Sequence, residues 1–202
     1  MNWLMGNGTI LARRMLSIST QPPRKILELG AGDGHLLLQV ARKVSKVWKS
    51  PVEASLLDRQ NLVTPEITSS FSKLAWNPTP LLLDLLDWTA APNSGERWDL
   101  VLCNLFLHHF SDEQLRAIFQ KLSQCARTFI ATEPHRTPFA AKATRLLWLL
   151  GCNQVTLHDA AVSVRAGFRG HELTELWPAN SGFQVMETAA GLFTHLFTAK
   201  QK

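Results

Sequence analysis

The sequence predicts an α/β fold in which a mostly parallel sheet has helices on both faces and ends in an antiparallel hairpin. Short runs rich in leucine and β-branched residues alternate with segments of helical periodicity, which is typical of a parallel sheet. Apolar and polar residues then alternate over 183–187 and 191–199, as in a hairpin. The 202 residues suffice for one domain with a substantial core, so we predict a single domain over 1–202.

The elements follow in order along the chain. Five strands are predicted before the hairpin, at 25–29, 52–57, 81–83, 98–103 and 128–132. Helices are predicted between them at 35–48, 65–76 and 111–126, and later at 138–150 and 170–177. Ser111 and Gln114 have the spacing of a capping box, which predicts the start of the third helix.

Composition and charge disfavour several classes of protein. The formal charge is +5, but no run of five like charges occurs, so we expect a solvated surface and no nucleic-acid partner. Three cysteines without a CxxC pair predict neither a disulfide framework nor a metal site. The longest apolar stretch, 146–151, is far shorter than the roughly 20 residues of a membrane span. The amino terminus is unlike a signal peptide, and we expect a cytoplasmic protein.

A glycine-rich turn follows the first predicted strand and immediately precedes a helix. Residues 26–35 read ILELGAGDGH, and glycines let the backbone turn tightly and let a ligand approach closely. Glu28 stands two residues before the first glycine, where a carboxylate suits an ammonium group better than a pyrophosphate. Dinucleotide-binding proteins have GxGxxG, whereas this turn is GxGxG with His35 at the position of their third glycine.

This segment resembles motif I of class I S-adenosylmethionine-dependent methyltransferases, and the resemblance covers roughly residues 26–199. It implies a Rossmann-like sheet and S-adenosylmethionine as the cofactor. The first cofactor contacts that it implies are Glu28, Gly30, Ala31, Gly32 and Gly34.

Further cofactor contacts are expected after the second, third and fourth strands. Asp58 is placed to accept the ribose hydroxyls, with Arg59 beside it. Asp84 matches the acidic residue that family members use near the adenine amino group, Leu85 would supply a backbone contact, and Asp87 competes with Asp84 for that role. Asn104 begins the stretch that passes beneath the methionine part of the cofactor in related enzymes.

The segment after the fourth strand indicates which class of molecule accepts the methyl group. Nucleobase amino-methylases of the family have two prolines after the Asn or Asp, whereas Leu105 and Phe106 follow Asn104 here. An apolar or aromatic acceptor is therefore expected. Histidine titrates near neutral pH, so it is the natural base for a phenol or enol proton. The candidate bases are His108, His109, His135 and His158.

Residues 163–165, Ser-Val-Arg, resemble a stretch of quinone C-methylases, which makes Arg165 a candidate for binding an acceptor oxygen. The resemblance also implies that 1–22 is the remnant of an N-terminal lid and 136–170 an acceptor-site insertion. We expect methyl transfer to oxygen or carbon of an apolar aromatic or polyketide-like small molecule. RNA or protein methylation and a catalytically silent cofactor-binding module stay open, and the GxGxG spacing disfavours a nicotinamide dehydrogenase. The oligomeric state is not predicted.

Overall fold

One seven-stranded sheet organises the computed structural model, which describes residues 6–19, 21–92, 95–137 and 165–202. The strand order is β3-β2-β1-β4-β5-β7-β6. The five strands from β1 to β5 are parallel, and β7 runs antiparallel to both β5 and β6. The strands are β1 Lys25–Leu29, β2 Val52–Asp58, β3 Trp76–Leu82, β4 Leu100–Asn104, β5 Thr128–Pro134, β6 Phe183–Ala189 and β7 Thr194–Gln201. The predicted mostly parallel sheet with a closing hairpin is confirmed.

Helices cover both faces of the sheet, as predicted. Alternate strand residues such as Ile26 and Ile130 face α1 to α3, whereas Leu27 and Phe129 face α4 to α6. The helices are α1 Asn7–Ile18, α2 His35–Val44, α3 Pro65–Ser72, α4 Leu85–Ala90, α5 Asp112–Cys125 and α6 Glu172–Leu176, with a 3₁₀ turn at Leu107–His109. The capping box at the start of α5 is formed as predicted.

The third strand is the strand whose predicted start differs most from the structure. It begins at Trp76 rather than at 81, and the preceding helix ends at Ser72. Pro78 and Pro80 lie within β3 and cannot donate to a neighbouring strand, which argues against a strand on sequence grounds. Because β3 is at the edge of the sheet and pairs with β2 alone, the missing N–H groups cost little there.

The amino-terminal segment forms a packed helix. Leu11 and Met15 of α1 are buried and belong to the same apolar core as Leu37 and Val40 of α2. Residues 7–18 of the stretch 1–22, which we expected to be a lid remnant, thus form a helix packed on α2. The predicted helix at 138–150, His158 and most of the expected insertion lie outside the described residues. Of the helices in the described ranges, none has the length and apolar character to cross a membrane.

Candidate active site

The carboxyl ends of the parallel strands bring the predicted cofactor contacts to one edge of the sheet. The loop after β1 has three glycines with left-handed backbone, Gly30, Gly32 and Gly34, at φ of 66°, 55° and 77°. A Cβ on Gly30 would lie 2.6 Å from the ring of Phe106, so this position requires glycine. At Gly32 a Cβ would meet no described atom within 4 Å, so the loop is open to a ligand there.

Glu28 is a buried carboxyl at the end of β1. Its side chain is 3% exposed, and its Oε2 has no hydrogen-bond partner among the described residues. Burial, with smaller contributions from the charges of Asp33 and Asp58, raises the pKa of Glu28 to about 8. A cation brought next to this carboxyl would favour its ionised form.

Asp58, the last residue of β2, is held over the glycine loop. The Gly32 N–H donates to Asp58 Oδ2 at 2.9 Å, and the Gln60 N–H donates to Oδ1 at 3.0 Å. The Ala31 N–H donates to the Leu57 carbonyl at 3.0 Å, which joins the loop to the same strand end. Each carboxylate oxygen of Asp58 has a further lone pair, so it can accept a hydroxyl of a ligand.

A cavity of about 600 Å³ opens beside Asp58. Asp84 lies at its wall and caps α4, since its Oδ1 accepts the Leu86 N–H at 2.7 Å. Arg59 Nε is 3.8 Å from Asp84 Oδ2, whereas Asp87 is exposed and does not line the cavity. The lining residues that we had predicted as site residues are Asp58, Arg59, Asp84, Leu85 and His109. His109 therefore lies with the predicted nucleoside contacts.

Glu133, near the end of β5, organises the loop after β4. It is fully buried, and its Oε1 accepts the N–H groups of Phe106 and Leu107 at 2.9 and 2.8 Å. Its Oε2 is 2.7 Å from Nδ1 of His108. His109 next to it is more exposed, and the partial burial of its ring, followed by the charge of His108, lowers the pKa of His109. The two adjacent histidines thus have different surroundings, and only His109 lines the cavity.

Asn104 joins a buried polar network on the other face of the sheet. Its Oδ1 accepts the side chain of Asn7 at 2.7 Å and that of Thr132 at 2.8 Å. Asn7 Oδ1 in turn accepts the Thr194 hydroxyl at 2.8 Å. Sequence reasoning missed Asn7, because the contact depends on where α1 packs.

His135 lies further along the same edge, is partly exposed, and neighbours the buried His195. Its ring centroid is 5.7 Å from that of His195, and burial, followed by the charge of His195, lowers the pKa of His135. His195 Nε2 is 2.6 Å from Glu187 Oε1. Burial raises the pKa of Glu187, but hydrogen bonds from His195, Thr174 and Leu173 outweigh it, and the net shift is downward. The sequence reasoning missed this pair, whose signal is two polar residues at inward positions of the predicted hairpin.

The two remaining predicted catalytic residues have no described contacts at this site. Arg165 is exposed, and His158 lies outside the described residues. Within the described ranges, no group of three His, Cys, Asp or Glu side chains is arranged to hold a metal ion. A larger groove, of about 740 Å³, lies at the opposite edge, where the parallel strands begin. The glycine loop and the carboxylates are at the carboxyl edge, where open α/β sheets bind their ligands.

Comparison with known proteins decides the family. Residues 26–128, about half of the chain, match the family model described as a methyltransferase domain. This chain belongs to the methyltransferase domain family. The prediction of a class I methyltransferase, and hence of an enzyme, is therefore confirmed. Among curated proteins, none has a matching sequence.

Solved structures resemble this methyltransferase in fold. One is magnesium protoporphyrin IX methyltransferase from Synechocystis PCC 6803 with bound S-adenosylhomocysteine, with 14% identity, coverage of 98% of this chain and 83% of that chain, and a TM-score of 0.60. Another is the plantazolicin methyltransferase in complex with S-adenosylhomocysteine, with 12% identity, coverage of 98% and 84%, and a TM-score of 0.64. A third is an O-methyltransferase family protein from Burkholderia thailandensis, with 17% identity, coverage of 95% and 56%, and a TM-score of 0.53. Identities this low establish a common fold.

Proposed function

We propose that this methyltransferase transfers the methyl group of S-adenosylmethionine to oxygen or carbon of an apolar aromatic or polyketide-like small molecule. The observation that carries the proposal is the glycine loop, which is open at Gly32 and begins beside the buried carboxyl of Glu28, whose Oε2 has no hydrogen-bond partner among the described residues. The methyltransferase domain match supports it. Two further findings support it. The magnesium protoporphyrin IX enzyme was crystallised with S-adenosylmethionine and with S-adenosylhomocysteine, and the descriptions of the similar structures name small-molecule substrates.

The residues at this edge fit the parts of the cofactor. Glu28 would face the ammonium group, which would provide the buried carboxyl with a counter-charge. Asp58 would accept the ribose hydroxyls through its remaining lone pairs. The cavity beside it, which Asp84, Leu85 and Phe106 line, would take the adenine.

Positioning is the main contribution that we assign to the chain. The bound cofactor would supply an electrophilic methyl group on a positively charged sulfur. Because that charge is lost during transfer, a site that excludes water favours the reaction. Phe106 contacts Gly30, and Glu133 holds the backbone of Phe106 and Leu107, so this wall of the site is rigid. Holding the two reactants at the right distance then supplies much of the rate enhancement.

Removal of an acceptor proton is the role that we propose for a histidine. The lowered pKa values of His109 and His135 keep both rings neutral and able to accept a proton near pH 7. His108 Nδ1 is bonded to Glu133, so Nε2 would be the nitrogen that accepts the proton if His108 is the base. His158 stays a candidate base, and Arg165 stays a candidate for binding an acceptor oxygen within the proposed insertion at 136–170.

The cofactor assignment is tested by calorimetry with S-adenosylhomocysteine. We expect one binding site that Asp58→Ala weakens by about tenfold or more, since hydrogen bonds to a charged group are lost. Asp87→Ala removes an exposed carboxyl outside the cavity and should leave binding intact. Absence of binding by the unmodified chain would overturn the proposal.

The acceptor class is tested separately. Single alanine variants at His108, His109, His135 and His158 should include one that abolishes methyl transfer to an apolar phenol or enol but retains cofactor binding. If all four stay active, positioning alone accounts for catalysis. Methylation of bulk RNA, with binding that falls steeply with salt, would instead support the RNA methyltransferase alternative. We place the reaction in the cytoplasm, consistent with three cysteines that show no pairing pattern.

A further inference from the structure

The groove at the opposite edge of the sheet concentrates positive charge. It has a volume of about 740 Å³ and lies between the end of α1, the linker before β1, the entries of β4 and β5, and the end of β7. Among the described residues, one carboxylate, Asp99, lines it. The cationic side chains that line it are Arg24, Arg97, Arg127, Lys200 and Lys202. The groove thus holds a net of four positive charges, against +5 for the whole chain.

Most of this charge is not neutralised within the protein. Asp99 accepts the backbone N–H groups of Arg24 and Lys25 at 2.8 and 3.1 Å, and its other oxygen is 3.6 Å from Arg127. In the part of the chain that the structure describes, the side chains of Arg24, Arg97 and Lys202 form no ion pair or hydrogen bond. All three side chains are exposed, so they are free to bind an anion.

We propose that this groove binds a small organic molecule that bears a phosphate or pyrophosphate group. Three of the five cations are arginines, whose planar guanidinium groups match phosphate oxygens in pairs. Partly exposed apolar side chains, Ile18, Pro22 and Pro23, line the same groove and would contact the organic part of the ligand.

The lining favours a small ligand over a nucleic acid. Trp48 is the one aromatic residue among the described residues that line the groove, and it is 3% exposed. Proteins that bind single strands offer exposed aromatic rings on which bases stack, and this groove has none in its described lining. The cations also converge on one concavity rather than follow an extended stripe.

The proposal is tested by titrating the full chain with inorganic pyrophosphate at low salt, by calorimetry and by thermal shift in parallel. We expect one site. The double variant Arg24→Gln and Arg97→Gln should weaken it by at least about tenfold, since charge-assisted hydrogen bonds are lost. The control is Arg42→Gln with Lys43→Gln, which removes the same charge from exposed positions of α2. This control variant should bind pyrophosphate like the unmodified chain. Without ligand, both double variants should have the melting temperature of the unmodified chain.

Saturation with S-adenosylhomocysteine distinguishes this groove from the glycine loop. Because the two are at opposite edges, pyrophosphate should bind equally well with and without it. Competition would assign pyrophosphate to the glycine loop and overturn the proposal. Equal losses of pyrophosphate affinity in both double variants would indicate non-specific electrostatic attraction. Absence of both binding heat and thermal shift would show that the groove has no site. Either result overturns the proposal. So would displacement of pyrophosphate by single-stranded RNA with an affinity that rises with length, since that result indicates a nucleic-acid surface.

Discussion

Replacement of Glu28 by Gln tests the electrostatics of the proposed site without any substrate. Burial raises the pKa of this carboxyl from its ordinary value of 4.5 to about 8. Below pH 4.5 the group is protonated in the folded and the unfolded chain, so it adds no pH dependence there. As the pH rises toward 8, the unfolded chain ionises freely and the folded chain does not, and stability is lost. The whole shift corresponds to about 5 kcal/mol.

The assay is urea unfolding of the unmodified chain and of Glu28→Gln at about pH 5 and about pH 9. The free energy of unfolding of the variant, relative to the unmodified chain, should rise by about 4 kcal/mol from the lower to the higher pH. Any packing cost of the amide is common to both pH values and cancels from this difference. Glu53→Gln, at an exposed position of β2, is the matched control and should show little change, because solvent screens its charge.

Two further results bear on the same reasoning. A relative stability that stays constant between the two pH values would refute the argument that burial without a counter-charge holds Glu28 protonated. Addition of S-adenosylhomocysteine should reduce the loss of stability at high pH in the unmodified chain, because its ammonium group favours the ionised carboxyl.

Three other predictions concern the same edge of the sheet. Gly30→Ala should cost about 2–4 kcal/mol in urea unfolding, from the left-handed backbone and the contact with Phe106, whereas Gly32→Ala should cost only about 1–2 kcal/mol; equal losses would contradict the packing. Asp84→Ala should remove a helix cap worth about 1 kcal/mol and weaken the binding of S-adenosylhomocysteine, and Asp87→Ala should do neither. Asn7→Ala should cost about 1–3 kcal/mol and speed amide hydrogen exchange in α1, and unchanged exchange would show that this network does not anchor the helix.

Sequence patterns predicted the elements whose bounds are set by neighbouring residues in the chain. β1 has the predicted bounds, because an apolar run ends at a glycine turn. β3 was placed five residues late, because Pro78 and Pro80 are incompatible with a central strand and only the edge position accommodates them. Helix α1 was not predicted, since the glycines at its start weaken the helical signal and its stability comes from packing on α2.

The candidate site divides in the same way. The glycine loop with Asp58 and Asp84 could be located from sequence, because each follows a strand whose end lies at a known edge. The contacts of Glu133 with His108 and of Glu187 with His195 could not, since they depend on strand pairing and side-chain direction. The scattered basic residues predicted a plain solvated surface, whereas the sheet gathers five of them at one groove.

The position of β7 between β5 and β6 has a consequence for folding order. Asn7 and Thr194 are hydrogen-bonded although they are 187 residues apart in sequence, and through Asn7 the pair reaches Asn104. A chain emerging from the ribosome can build the β1–β5 region early, but this corner must wait until β7 has been synthesised. Contacts so distant along the chain slow folding, so we expect the hydrogen bond of Asn7 with Thr194 to form in a late kinetic phase, after the central strands have paired.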